Sequence, residues 1–225
     1  MIDIEKASYF DPVDRVAQIL MQKTQTTDPL FFRILVSYYL TKVASMMRAN
    51  IKTLDRGYIP VNMYALNLAL SGHGKGHSTN IVEEKLINQF KERFLNDTFN
   101  RVAEQNIYQL ANTRATAKVV DFDMEHEKTK AEFESLGPLM FSFDSGTTPA
   151  VKQMRHKLLM AGAGSMNMEI DEIGSNLIGQ TEVLTSFLEL FDVGKIKQKL
   201  IKSTKDNMRN EEIDGRTPTN MLLFG

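Results

Sequence analysis

One segment, residues 63–79, constrains the fold of this 225-residue chain more than any other. Its first half, which ends at Leu70, is an apolar run typical of a buried strand. Its second half alternates glycine with basic or imidazole side chains, in the order Gly72, His73, Gly74, Lys75, Gly76, His77. A helical pattern follows from Asn80. A strand that passes through glycines into a helix is typical of α/β folds, so we predict this class, with a strand over residues 61–70.

The glycine-rich part of this segment matches half of the phosphate-binding pattern G-x-x-x-x-G-K-[ST]. Gly74 and Lys75 fit the pattern, whereas Ala69 and Gly76 stand at its first and last fixed positions. Glycines let backbone N–H groups point at phosphate oxygens, the next helix adds the positive end of its dipole, and lysine adds a point charge. A glycine-rich surface turn is the alternative, and the loop alone does not separate the two.

A second informative segment, residues 165–172, is partly apolar and ends in Asp171 and Glu172. In a phosphate-binding-loop ATPase, a strand next to the loop strand ends in such a pair. The aspartate serves Mg²⁺ and the glutamate polarises the attacking water. An ordinary helix start also favours Asp-Glu. Because open α/β sheets bind ligands where the carboxyl ends of strands gather, the two segments together favour a nucleotide site.

Periodicity and start signals predict the remaining elements. Aspartate followed by proline marks two helix starts, at Asp11 and Asp28, which begin helices over residues 11–22 and 30–47. Residues 1–58 are therefore predicted to be a helical region that packs on a core formed by residues 59–225. Further helices are predicted over residues 80–94, 101–112, 123–135, 148–160 and 175–191.

Shorter segments are predicted from apolar runs and turn residues. Residues 139–143 and 217–225 are predicted to be buried strands, and residues 57–60 a turn. Residues 118–122 fit either a short strand or a helix end. Asn67, inside an otherwise apolar strand, fits either a hydrogen bond to a neighbouring loop or an edge position.

Composition limits the classes of function. The chain has no cysteine, which excludes disulfides and cysteine-ligated zinc, and its formal charge of −1 gives no general attraction to nucleic acid. No run approaches the roughly 20 apolar residues of a membrane span, and the N-terminus lacks the apolar core of a signal peptide. We therefore predict a cytoplasmic protein without a membrane partner.

The chain has one local concentration of basic residues. It comprises Lys195, Lys197, Lys199, Lys202, Lys205 and Arg209. Two interpretations fit it. The cations could contact nucleic-acid phosphates, or they could form an ordinary solvated helix face, since Asp206, Glu211 and Glu212 adjoin them.

With these motifs in place, the chain resembles the ATPase domain of phage and plasmid primase–helicase proteins, a family long labelled only as a domain of unknown function. The resemblance rests on the order and spacing of residues 68–75, 146–149, 168–172 and 218–225. It implies a RecA-like P-loop core with a mainly parallel sheet, ATP with Mg²⁺ as cofactors, and a homo-oligomeric ring that moves on DNA. Single-stranded DNA and other replication proteins are the implied partners, in the host cytoplasm if the chain is phage-encoded.

The resemblance also implies roles for individual residues. Lys75 would bind the outer phosphates, Asp171 would serve Mg²⁺, and Glu172 would be the catalytic base. Because Gly76 lacks the hydroxyl that contacts the metal, Ser78, Thr79 or a water would replace it. The implied nucleotide contacts are Ser71, Gly72, His73, Gly74, Lys75, Gly76, His77 and Ser78.

Three functional interpretations fit these motifs. The first is an ATP-hydrolysing helicase or primase–helicase motor. The second is a nucleotide-binding scaffold without hydrolysis, which Gly76 favours, and the third is a helicase loader or DNA-packaging ATPase. In this architecture the strand after the acidic pair carries a polar sensor at its tip. We therefore expect the sensor, and a trans-acting arginine, beyond residue 225.

Overall fold

A computed structural model describes residues 8–24, 28–68, 74–173, 181–196 and 215–225 of the chain. The helices of these ranges are α1 (Asp11–Thr24), α2 (Pro29–Met46), α3 (Lys75–Val82), α4 (Asn88–Arg93), α5 (Phe99–Lys118), α6 (Phe122–Glu134), α7 (Gly137–Phe141), α8 (Thr148–Ala161) and α9 (Thr181–Val193). The strands are β1 (Asn50–Thr53), β2 (Gly57–Pro60), β3 (Tyr64–Asn67), β4 (Met166–Ile170) and β5 (Thr219–Phe224). Two π-helical turns, Glu83–Ile87 and Phe94–Thr98, join α3, α4 and α5.

Strands β3, β5 and β4 form a parallel sheet in that order. Tyr64 pairs with Met221 on one side of β5, and Met166 pairs with Thr219 on the other. The central strand is apolar and buried along nearly all its length, which is typical of a strand covered on both faces. The predicted α/β class with parallel strands is confirmed, and the sheet is small.

Helices cover both faces of this sheet. On one face the ring of Phe31, in α2, lies 6.3 Å from that of Phe224. On the other face the ring of Tyr64 lies 6.3 Å from that of Phe187, in α9. Asp28 caps α2 by accepting a bond from the amide of Leu30 at 3.0 Å, as the Asp-Pro signal predicts.

The predicted strand over residues 61–70 is shorter in the structure, because β3 spans only Tyr64–Asn67 within the described residues. The amide of Val61 instead bonds the carbonyl of Ala49, before the hairpin. Asn67 is buried on this edge strand, and its amide donates to the carbonyl of Phe31 at 3.4 Å.

Two further predictions were wrong. Residues 57–60 are not a turn but strand β2, which pairs with β1 as an antiparallel hairpin around residues 54–56. Residues 139–143 are not a strand. Pro138 opens the short helix α7, and only Phe143 reaches the sheet, as a bridge to Met168. A short apolar run fits a buried helix and a buried strand equally, so periodicity could not choose.

Residues 118–122 were predicted to be either a short strand or a helix end. They are a helix end, since α5 stops at Lys118 and the backbone of Val119 is left-handed. None of the described helices is long and apolar enough to cross a membrane.

Candidate functional site

The three parallel strands end at one edge of the sheet, and the residues that follow them are in contact. The amide of Gly225, after β5, donates to the carbonyl of Asn67 at 3.1 Å. A Cβ atom on Gly225 would lie 2.7 Å from Cδ2 of Leu68, after β3, and 3.5 Å from Cδ1 of Ile173, after β4. A side chain at Gly225 would therefore displace the exposed side chain of Leu68.

The side chain of Lys75 lies at this edge of the sheet. Gly74 has φ 76° and ψ 21°, a left-handed conformation that favours glycine, and α3 begins at the next residue. The Nζ of Lys75 donates to the carbonyl of Gly225 at 3.2 Å. The half-buried lysine of the Gly-Lys pair therefore lies over the end of the central strand, where its ammonium bonds a backbone oxygen.

The hydroxyl groups near the lysine bond to the helix backbone. Oγ of the buried Ser78 donates to the carbonyl of Gly74 at 2.8 Å, and Oγ1 of Thr79 donates to the carbonyl of Lys75 at 3.0 Å. Gly76 has no atom within 4 Å of the place where a Cβ would stand. The backbone at this position would therefore accept a hydroxyl-bearing residue.

The other predicted loop contacts divide into two groups. His77 is exposed on the first turn of α3. Ser71, Gly72 and His73 lie outside the described residues, so their contacts with phosphate stay predictions.

Asp171 and Glu172 follow β4 and are exposed at the same edge as Lys75. They are not on a strand next to the loop strand, as the motif predicted, because β5 pairs with both β3 and β4 and separates them. β5 is buried along nearly all its length, as expected of a strand at the centre of a sheet that is covered on both faces. The strand for which a sensor tip was predicted thus lies between the lysine and the acidic pair.

In the described ranges, no three histidine or acidic side chains gather as a ready-made metal site. Magnesium in nucleotide sites needs only one or two carboxylates, because phosphate oxygens and waters complete its shell. The carboxylate of Asp171, exposed at the edge that Lys75 crosses, suits that role.

Sequence reasoning missed a buried ion pair just behind the acidic residues. Oε1 of Glu169, in β4, accepts a bond from Nζ of Lys42 at 2.7 Å and from the hydroxyl of Tyr38 at 2.9 Å. The side chain of Lys42 is fully buried, and that of Glu169 is 14% exposed. Burial raises the pKa of Glu169, and the charge of Lys42 opposes that rise. The available signal was a lysine inside an apolar helix and a glutamate inside an apolar strand.

A second tyrosine joins the same helix to the segment after the glycine loop. The hydroxyl of Tyr39 donates to Oε1 of Glu83, at the π-helical turn after α3, at 2.9 Å. Burial, then the charges of Glu169 and Glu83, raise the pKa of Tyr39 far above its usual value. Tyr39 is therefore a neutral donor. The two tyrosines tie α2 both to the loop helix and to the strand that carries the acidic pair.

Amide side chains continue this polar layer toward the other end of the strands. Nδ2 of Asn220 donates to Oδ1 of Asn167 at 2.8 Å, and Nδ2 of Asn167 donates to the carbonyl of Met140 at 2.6 Å. Oδ1 of Asn220 accepts from the amide of Met63 at 2.9 Å and from Oγ of Ser45 at 3.3 Å. The layer is therefore internally satisfied.

Comparison with known proteins gives no relative of this chain: no family model, no curated protein and no solved structure matches it.

Proposed function

We propose that this chain is a RecA-like, P-loop ATPase that binds ATP with Mg²⁺ and hydrolyses it to drive movement on DNA, as a phage-type replicative helicase or primase–helicase. The observation that carries the proposal is the contact of Lys75 with Gly225 at the edge where β3, β5 and β4 all end. A mobile cation at the start of a helix, beside exposed carboxylates, fits a triphosphate and its metal.

The proposed roles follow from position. Lys75 binds the outer phosphates and exchanges its carbonyl partner for their oxygens. Asp171 orients the metal through water, and Glu172 accepts a proton from the attacking water. The backbone amides at the start of α3 face the phosphates. In this proposal the ring-forming assembly and further replication proteins are partners of the motor.

Nucleotide binding to the full chain tests the proposal. Lys75→Ala should weaken the binding of a fluorescent ATP analogue by about tenfold to a hundredfold, because a charged hydrogen bond to phosphate is lost. Lys85→Ala removes an exposed lysine from the same helical segment and should bind like wild type. Equal binding by all three proteins would overturn the proposal.

Hydrolysis separates the catalytic role from binding. Glu172→Gln should bind ATP normally and lose phosphate release, because the amide cannot accept the proton from water. Asp171→Asn should instead weaken the dependence on Mg²⁺ concentration. Normal phosphate release by Glu172→Gln would show that Glu172 is not the base.

A second candidate is a scaffold that binds nucleotide without hydrolysing it. Gly76 favours this candidate, because the hydroxyls of Ser78 and Thr79 donate to helix carbonyls. Gly76→Ser distinguishes the two, since the position is open and the new hydroxyl stands where the pattern has one. Gly76→Ala is the matched control for helix propensity. A scaffold would gain Mg²⁺-dependent turnover only in the serine variant, whereas a motor already hydrolyses ATP as wild type.

A further inference from the structure

The β1–β2 hairpin lies at the opposite edge of the sheet from Lys75 and carries several exposed side chains. Tyr58 is 64% exposed and Ile51 is 55% exposed, while Leu54 at the tip is fully exposed. Lys52 and Arg56 are also exposed. These exposed aromatic and apolar groups, gathered on one hairpin, are available for contact with another molecule.

The cation and the aromatic ring share one face of the hairpin. Lys52 pairs directly with Tyr58 in the β1–β2 register, which places their Cβ atoms roughly 5 Å apart on the same side. Ile51 pairs with Ile59 and points to the other side. Proteins that bind single-stranded nucleic acid combine aromatic rings with nearby cations, because bases stack on the rings and the cations contact phosphates.

The hairpin is held in place from the central strand. Both terminal nitrogens of Arg216, just before β5, donate to hairpin carbonyls: Nη1 to Tyr58, and Nη2 to Arg56 at 3.0 Å. Within the turn, Oγ1 of Thr53 accepts from the amide of Arg56 at 3.1 Å and donates to the carbonyl of Gly57 at 2.9 Å. The exposed face is thus prearranged and needs little ordering on binding.

Within the described residues, the hairpin's carboxylate, Asp55, pairs with Arg56 at 3.4 Å, whereas Arg48 and Arg216 bond to neutral groups. The buried guanidinium of Arg48 donates to the carbonyls of Arg216, Leu158 and Ala163. Desolvation lowers the pKa of Arg48 to about 10, so it stays protonated at neutral pH. The partners of Arg48 and Arg216 in the described part of the chain are therefore neutral.

Several cations in other described parts of the chain form ion pairs with carboxylates. Salt bridges to acidic side chains occupy Arg33, Lys42, Arg101, Arg114, Lys118 and Lys157. Within the described residues, the end of the sheet that carries the hairpin therefore has more cations than carboxylates, which complements a polyanion better than an apolar protein surface.

We propose that the face of the β1–β2 hairpin that carries Lys52 and Tyr58 binds single-stranded nucleic acid, with Tyr58 stacking on a base and Lys52 contacting phosphate. The identity of the polymer rests on the proposed function, but binding does not need nucleotide. The six residues of β5 span about 20 Å between Arg216 and Gly225, so this surface is separate from the candidate nucleotide site.

The chain has no tryptophan, so a single introduced one reports on this contact directly. In Tyr58→Trp, oligo(dT) or oligo(rU) of about 20 nucleotides should quench the emission saturably, because the indole stacks on a base. Tyr108→Trp is the matched control, since Tyr108 is 53% exposed on α5, away from the hairpin. Comparison of the two oligonucleotides distinguishes DNA from RNA. Absence of quenching in Tyr58→Trp, or equal quenching in both variants, would overturn the proposal.

Anisotropy with labelled oligonucleotide supplies the second measurement. Tyr58→Ala should weaken binding at least about fivefold through lost stacking. Lys52→Glu should weaken binding and lower the salt dependence by about one phosphate contact, whereas Lys130→Glu, an equal charge change on α6, should have a smaller effect. Binding lost by Tyr58→Ala but kept by Lys75→Ala would support the hairpin even if the nucleotide site fails. Equal binding by Lys52→Glu and Lys130→Glu would overturn its role.

Discussion

Two lysines in this molecule have opposite surroundings. Lys42, in α2, is fully buried and meets the carboxylate of Glu169 at 2.7 Å, whereas Lys75 is half-buried at the sheet edge and donates to the backbone oxygen of Gly225. A buried charge is stable only when the protein itself supplies the partner. A partly exposed charge that is held by one backbone oxygen can exchange that contact for a ligand. The same side chain therefore serves folding in one place and, in our proposal, binding in the other.

The largest expected effect comes from exchanging the two lysines for methionine. Lys42→Met should lower the free energy of unfolding by about 3–5 kcal/mol, because Glu169 is left as an unpaired buried charge. Lys75→Met should change stability by about 1 kcal/mol or less, because the half-buried lysine loses one bond to a backbone oxygen. Urea unfolding monitored by circular dichroism measures both.

A double variant shows whether the stability loss comes from the stranded carboxylate. Lys42→Met/Glu169→Gln should recover most of the stability, since the neutral amide still accepts a bond from Tyr38. If the double variant is as unstable as Lys42→Met alone, packing around the lysine stem is the cause and not charge.

A smaller effect is expected from the amide layer. Asn220→Ala should cost about 2–3 kcal/mol, because the amide of Met63 and Oδ1 of Asn167 lose their buried partner. Asn62→Ala removes one exposed bond to the carbonyl of Phe191 and should cost less than about 1 kcal/mol. Similar losses in both variants would mean that burial does not set the value of these bonds.

Tyr39 joins the buried layer to the segment that follows the glycine loop. Tyr39→Phe should cost about 1 kcal/mol, because Glu83 is only half-buried and water replaces the lost donor. Tyr108→Phe, on an exposed ring, is the control and should be neutral. Thermal unfolding measures the difference, and a loss above about 3 kcal/mol would show that water does not reach Glu83.

The sequence predicted the elements that a strong local signal marks. The Asp-Pro starts located α1 and α2, whereas the helix predicted from Asn80 begins five residues earlier, at Lys75. The hairpin at residues 50–60 was missed because its turn, Leu54, Asp55 and Arg56, lacks the Asn-Gly or Asp-Gly signal of tight hairpins. Helix α7 was missed because a five-residue apolar segment has no distinguishing period.

The candidate site was predictable in its residue types but not in its arrangement. Local pattern placed Lys75 and Asp171 at element ends, where both lie. That β5 stands between their strands depends on pairing over long sequence distances, which no local pattern records. The ion pair of Lys42 and Glu169 joins residues 127 positions apart, so no local window contains it.

The smallest expected effect on stability is at Glu132, a carboxylate that is more exposed than Glu169. Partial burial raises the pKa of Glu132, but hydrogen bonds from Arg114 and Lys157 outweigh it and hold the pKa below its ordinary value of 4.5. The stability that this group contributes is therefore fully present above about pH 4.5 and is lost as pH falls through the folded-state pKa. Glu132→Gln should cost at most about 1 kcal/mol at pH 7, because the side chain is 29% exposed, and nothing at pH 2. Glu127→Gln, exposed on the same helix, is the control in urea unfolding at both pH values. A Glu132→Gln loss that is equal at pH 7 and pH 2 would assign the contribution of Glu132 to packing rather than to charge.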